Sequence, residues 1–174
     1  MGLIVYIIIF IITIIVMFTM SYFMNRHPTN IILLGVFTVL FSIMVGVACV
    51  FSKADIILEA SILTTVLVVS LTLFTFWAAK RGYDFNFLWP FLFCTLILVL
   101  LFSMIQIFFP MGNLVRMIIS FVVALLYCGF LIYDTDNLIK RCSYDEYIMA
   151  ATMLYLDMIN LFIALLQILG FIDG

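Results

Sequence analysis

Between Leu3 and Met24 the chain carries no charged side chain, and the first charge it meets is Arg26. At 1.5 Å per residue, a run of that length crosses the ~30 Å hydrocarbon core of a bilayer as one α-helix. Five more runs follow: 31–51, 56–79 interrupted by Glu59, 88–109, 117–133, and 147–168 interrupted by Asp157. Stretches such as Ile7-Ile8-Ile9-Phe10-Ile11-Ile12 do not alternate apolar with polar residues, so helices fit them and barrel strands do not. The predicted fold is an all-α integral membrane protein. It is a six-helix transmembrane bundle forming a single domain over 1–174.

Composition closes the alternatives. Only 9% of residues are charged and 68% are hydrophobic, with a mean hydropathy of +1.43. A soluble domain is about a quarter charged. Too little polar surface remains for a soluble or disordered chain. A net charge of −2 offers no basic patch, so no nucleic-acid partner is expected.

The joints carry turn chemistry at Arg26-His27-Pro28-Thr29-Asn30, Lys80-Arg81-Gly82-Tyr83-Asp84 and Pro110-Met111-Gly112-Asn113. Ser143 and Glu146 have the spacing of a capping box that opens the last helix. The first span lacks the basic start and small-residue cleavage site of a signal peptide and reads as a retained helix. Arg26, Lys80, Arg81, Lys140 and Arg141 lie in the loops after spans one, three and five; Lys53 and Arg116 lie on the other side. The positive-inside rule therefore predicts that the odd loops are cytosolic and that both ends of the chain face the lumen or the exterior. The cysteines Cys49, Cys94, Cys128 and Cys142 show no zinc-ligand spacing.

Charge at a bilayer centre costs at least ~2.5–3.5 kcal/mol on insertion scales, so an intramembrane acid marks function or internal pairing. Glu59, Asp134 and Asp157 lie within or at the edge of a span, and no Lys or Arg lies well inside one to neutralise them. Asp157 stands about 20 Å along its helix from the Ser143 cap, and Asp134 about 9 Å below the cytosolic interface. Spans five and six are joined by a short loop and must run antiparallel, so the two aspartates are placed to meet in the cytosolic half of the bundle. Asn137 and Asn160 each follow an aspartate by three residues, on the same helix face, and are expected to donate hydrogen bonds to it. Two carboxylates in one low-dielectric site titrate as a unit. Such a pair serves as a pH sensor, a cation site or an acid/base couple; the plain alternative is that each aspartate merely fixes helix packing. Glu59 is either a guard at a cation entrance or a carboxylate favoured by the helix N-terminus, with Asp55 nearby. Asp136 and Glu146, with Asp145, Lys140 and Arg141, are read as a solvated cytosolic face and as secondary ion-pathway candidates. Ser70, Thr72 and Thr75 are read as interhelical hydrogen-bonding groups. Trp77, Trp89, Tyr83 and Tyr147 are read as interface anchors, and Gln106 and Gln167 as reaching the interface.

The stretches Leu58-Glu59-Ala60-Ser61-Ile62-Leu63-Thr64-Thr65, Tyr133-Asp134-Thr135-Asp136-Asn137-Leu138, Asp145-Glu146-Tyr147 and Leu154-Tyr155-Leu156-Asp157-Met158-Ile159-Asn160-Leu161-Phe162 resemble the Bax inhibitor motif family, and its lifeguard branch in particular. Phe76-Trp77-Ala78-Ala79-Lys80-Arg81-Gly82 is similar to the plant members. The resemblance implies a Golgi, endoplasmic reticulum or plasma membrane protein that restrains cell death and lowers luminal calcium. It implies a calcium leak gated by an aspartate pair matching Asp134 and Asp157, and a role in conduction for the position matching Glu146. It also implies a seven-helix fold of which this chain begins at the second span.

The leading expectation is an anti-apoptotic membrane protein acting as a pH-sensitive calcium leak. Calcium is then the permeating ion, held transiently at Asp134 and Asp157, with no cofactor and no permanent metal. The alternative is a non-conducting regulator that binds death-regulating proteins or calcium-release receptors. An enzyme is not expected. Tyr133-Asp134 matches half of an intramembrane aspartyl protease signature, but the glycines of the Gly-x-Gly-Asp half are missing before Asp157.

Overall fold

The structure, a computed structural model, describes residues 2–23, 26, 29–140 and 146–174, the side chains of residues 3 and 6 excepted. His27, Arg141, Cys142, Asp145 and the Ser143 half of the capping box lie outside the described residues. The chain forms six α-helices: α1 Gly2–Tyr22, α2 Thr29–Val50, α3 Ala54–Lys80, α4 Leu88–Phe108, α5 Asn113–Lys140 and α6 Tyr147–Asp173. The described residues contain no strand. Helices α2 to α6 are long and apolar enough to cross a membrane, and α1 adds an apolar segment at Ile7–Tyr22. In lipid every backbone N–H and C=O must be satisfied within the chain, and a helix does this locally.

The fifth helix departs most from the apolar run that predicts it. It extends past Tyr133 to Lys140, so Asp134, Asp136 and Asn137 are helical. Backbone hydrogen bonding outweighs the low apolarity of this last stretch. The end of α3 closes in a Schellman motif. Gly82 adopts φ 83°, the Tyr83 N–H donates to Ala78 O at 3.1 Å, and the Gly82 N–H donates to Ala79 O at 3.2 Å. A residue with a Cβ takes up that left-handed conformation at a cost, which is why glycine stands there.

Helix α6 lies at the centre. Seven of its residues are buried, Ile148, Thr152, Asp157, Leu161, Ala164, Leu166 and Ile168, and it packs on α5, α3 and α2. One cluster joins Ala124, Leu161, Ala164 and Ile168 with Leu67 and Val68. A second joins Ile56, Ala60 and Leu166 with Cys49 and Phe162. Alanines at these contacts let backbones approach closely, which matters in lipid because burying apolar surface there drives nothing.

The hydroxyl groups inside the spans behave differently from expectation. Thr75 is fully buried but donates to Leu71 O of its own helix at 2.7 Å. Ser61, Thr64, Ser103 and Thr135 also bond back to the carbonyl four residues earlier. The preceding turn is the nearest acceptor for a short side chain in a medium without water. Ser120 does cross between helices, donating to Gln167 Oε1 at 3.0 Å, so Gln167 is held by α5 rather than reaching freely for the interface.

Helix α4 is the outer helix of the bundle, with Leu92 its one buried side chain. Leu92 fits a notch left by Gly129 on α5: a Cβ added at Gly129 would lie 2.6 Å from Leu92 Cδ2. Toward their other ends the two helices part around an apolar cleft of about 290 Å³ lined by Leu98, Phe102, Val115 and Ile119. Overpacking a filled contact costs about 1–3 kcal/mol. Gly129→Ala is therefore expected to lower the thermal midpoint in detergent, followed by tryptophan fluorescence. Adding Leu92→Ala should restore most of the loss. Additive effects of the two substitutions would show that the notch does not hold α4.

Candidate functional site

Asp134 lies on α5 six residues before its end at Lys140, and Asp157 lies on α6 ten residues after its start at Tyr147. With a rise of 1.5 Å per residue these are about 9 and 15 Å from the joined ends of the two helices. Antiparallel packing brings the two side chains into hydrogen-bonding contact. Asp157 is buried, with 6% of its surface exposed, and Asp134 is half-buried.

Two carboxylates are both acceptors, so contact between them needs a proton. One carboxyl group donates and the other accepts. Among the described residues Asp157 Oδ2 is shielded from solvent and no N–H or hydroxyl donor reaches it. The two carboxyl groups therefore share one poorly solvated site. With that proton gone, two negative charges face each other at close range in a poorly solvated site.

The pair opens onto a cleft of about 510 Å³ that Asn137, Asn160, Tyr133 and Tyr127 also line. Met17 of α1 and Leu156 of α6 form part of its apolar wall. Trp89 lines it as well, a role that its position near a span end does not reveal. Sequence reasoning also misses Tyr127 and Met17; only the packing of α1, α4 and α5 around α6 brings them to the aspartates. Asn137 does face the cleft. Asn160 does too, but its amide nitrogen donates to Leu156 O at 2.8 Å instead of to Asp157.

The other acidic candidates stand apart from this cleft. Glu59 is exposed on the second turn of α3 and does not line the aspartate cleft. Glu146 is exposed at the start of α6, where its side chain makes no capping hydrogen bond. Asp136 is not part of a solvated face. It is buried, with 1% of its surface exposed, and its Oδ1 lies 2.9 Å from the Lys140 ammonium one turn on. Lys140 Nζ also donates to the Tyr83 carbonyl beyond the end of α3. A buried charge with an opposite partner one turn away satisfies itself within α5, and Lys140 then joins that helix to the α3–α4 loop. At the far end of the bundle Lys53 and Asp173 form an exposed pair at 2.9 Å, which raises the Lys53 pKa and is open to screening by salt. No three His, Cys, Asp or Glu side chains among the described residues gather closely enough to hold a metal ion.

The helical bundle and its intramembrane carboxyl pair define a multi-pass membrane protein with two acidic side chains in contact between two central helices. A family model described as "Inhibitor of apoptosis-promoting Bax1" matches residues 1–174. The chain belongs to this Bax inhibitor family and is an anti-apoptotic membrane protein of that class. It is similar to Protein LIFEGUARD 4 of Arabidopsis thaliana, 57% identical over 96% of this chain and 68% of the relative. Protein LIFEGUARD 2 of the same plant is 53% identical over 99% of this chain and 72% of the relative. The Golgi anti-apoptotic protein of vaccinia virus (strain Lister) is 38% identical over 87% of this chain and 62% of the relative.

The Asp136–Lys140 pair yields an asymmetric prediction. Lys140→Met strands a buried carboxylate, a change that costs about 3 kcal/mol. Asp136→Asn leaves a partly exposed ammonium that keeps Tyr83 as a partner, and should cost roughly 1 kcal/mol, the scale of one lost hydrogen bond. Thermal unfolding of the two variants in the same detergent compares them. Equal losses would mean that Lys140 carries no electrostatic duty toward Asp136.

Proposed function

We propose that the protein is a pH-dependent cation leak, with calcium as the permeating ion. The observation that carries this reading is the contact between Asp134 and Asp157 inside a cleft that other oxygen-bearing side chains line. While a proton is shared, the pair is satisfied internally and offers a cation little. Once the proton leaves, two carboxylates repel each other and attract a divalent cation. Calcium is a hard ion that prefers oxygen ligands, usually six to eight of them. Asp134, Asp157, Asn137, Asn160 and Tyr133 supply oxygens in the cleft, fewer than a storage cage needs and suited to passage rather than to tight retention. The protein acts as a conduit, without a cofactor and without catalysis. Similarity to the viral Golgi anti-apoptotic protein supports a Golgi or endoplasmic reticulum membrane as its site.

A second reading has one observation in its favour. Beyond the aspartates the next cavity is walled mainly by Phe10, Ile14, Phe37, Phe41 and Met44, an apolar lining that opposes ions. On this reading the protein is a non-conducting regulator that acts on death-regulating proteins or calcium-release receptors in the membrane, and the aspartates are architectural.

Calcium flux from liposomes holding the purified chain, measured across a pH series, separates the two. The leak reading expects a flux that changes with pH, and an Asp157→Asn variant that folds normally but has a flat profile. Unchanged pH dependence in that variant overturns the aspartate gate. Full death suppression by an Asp134→Asn/Asp157→Asn protein that carries no flux favours the regulator.

A further inference from the structure

The aspartate cleft does not end at the aspartates. A second cavity, of about 200 Å³, lies beside it between α1, α2 and α6, and the two share three lining residues: Met17, Leu156 and Asn160. These three residues form the wall common to the two spaces.

The level of this common wall follows from the register of α1 against α6. Thr152 Oγ1 lies 3.8 Å from Met20 Sδ. One turn farther along α6 and one turn back along α1, Leu156 and Met17 wall the same cavities. One more turn brings Asn160 to the level of Thr13, both lining the second cavity. The two helices run antiparallel, so each step on one is matched by an opposite step on the other. The polar groups met in sequence are then Asp157, Asn160 one turn deeper, and Thr13 across from it.

Asn160 is held for such a place. Leu156 O can only accept a hydrogen bond, so the amide end 2.8 Å from it is the NH₂ group. The carbonyl oxygen is left as the end available to the cavities. The Thr13 hydroxyl donates to Ile9 O at 2.8 Å and also lies 3.7 Å from Met44 Sδ; donation to either leaves its oxygen as an acceptor. Around these two oxygens the walls are thioether, aliphatic and aromatic. An apolar constriction excludes ions by shedding water, and a single oxygen placed within it lowers that barrier.

We propose that Asn160 is the ion-contacting residue of a neck, closed in by Met17 and Leu156, through which a divalent cation passes from the aspartate cleft toward Thr13 and the second cavity. This inference rests on the leak reading and extends it: the aspartates set when an ion is bound, and Asn160 sets how readily it goes on. Loss of the Asn160 oxygen should slow passage without removing its pH dependence, and a polar group at Leu156 should speed it.

The test uses calcium flux from liposomes containing the full chain, at several pH values, for wild type, Asn160→Leu and Leu156→Asn. Asn160→Leu is expected to reduce flux about tenfold with the shape of the pH profile kept, and Leu156→Asn to raise it by a similar factor. A conducting wild type with both variants unchanged overturns the neck and leaves the leak standing. No flux from any of the three overturns the leak reading, and the neck with it. A readout independent of flux is labelling by a small cationic thiosulfonate, located by mass spectrometry. Thr13→Cys should be modified more slowly when Asn160→Leu is also present, while the outward-facing Ile11→Cys, half exposed on α1, should be indifferent to it. Equal labelling of Thr13→Cys with and without Asn160→Leu overturns the neck.

Discussion

Everything else in the bundle is arranged around a carboxyl pair that lipid would not tolerate apart. Asp157 sits on the most buried helix, where a lone carboxylate would be poorly solvated, and its contact with Asp134 resolves that only if a proton is shared. The need fixes how α5 and α6 face each other. They must be antiparallel, in close contact, and in a register that sets positions 134 and 157 side by side. The alanines at 124 and 164 allow that approach, and Leu161 and Ile168 fill the space beyond. Polar demand and steric fit select the same packing.

The two acids near the end of α5 show how environment separates chemically identical groups. Asp134 and Asp136 are two residues apart, so on a helix they point to different sides. Asp136 meets Lys140 on its own helix and needs nothing else. Among the described residues Asp134 has no such cation, and it meets another acid. A carboxylate with a lysine is a structural tie, whereas a carboxyl group beside another acid has no opposite charge to settle it. The first joins α5 to the α3–α4 loop through Tyr83, and so steadies the helix end from which Asp134 projects.

Helix α4 and the gap beside α1 are the loosely built parts. One leucine in one glycine notch secures α4, whereas seven buried residues secure α6. Three cavities lie beside α1 and α4. Packing density decides where solvent and ions find room, and the aspartates lie on the border between the dense and the loose halves.

The helical class and most helix limits were legible in the residues, because charge-free runs of bilayer length leave a chain few options. That Asp134 and Asp157 could meet was legible too, since antiparallel neighbouring spans place them at similar depths. What the chain alone could not reveal was partnership. Nothing in the spacing distinguishes Asp136, which is buried and paired, from a solvated acid, because Lys140 reaches it only when α5 continues past its apolar run. Nor does Asn160 betray that it turns to Leu156 O, or Trp89, Tyr127 and Met17 that they meet at one cleft. Burial in a membrane is written locally, one helix at a time. Contacts between helices depend on rotation and tilt about each axis, and only the packed bundle sets those.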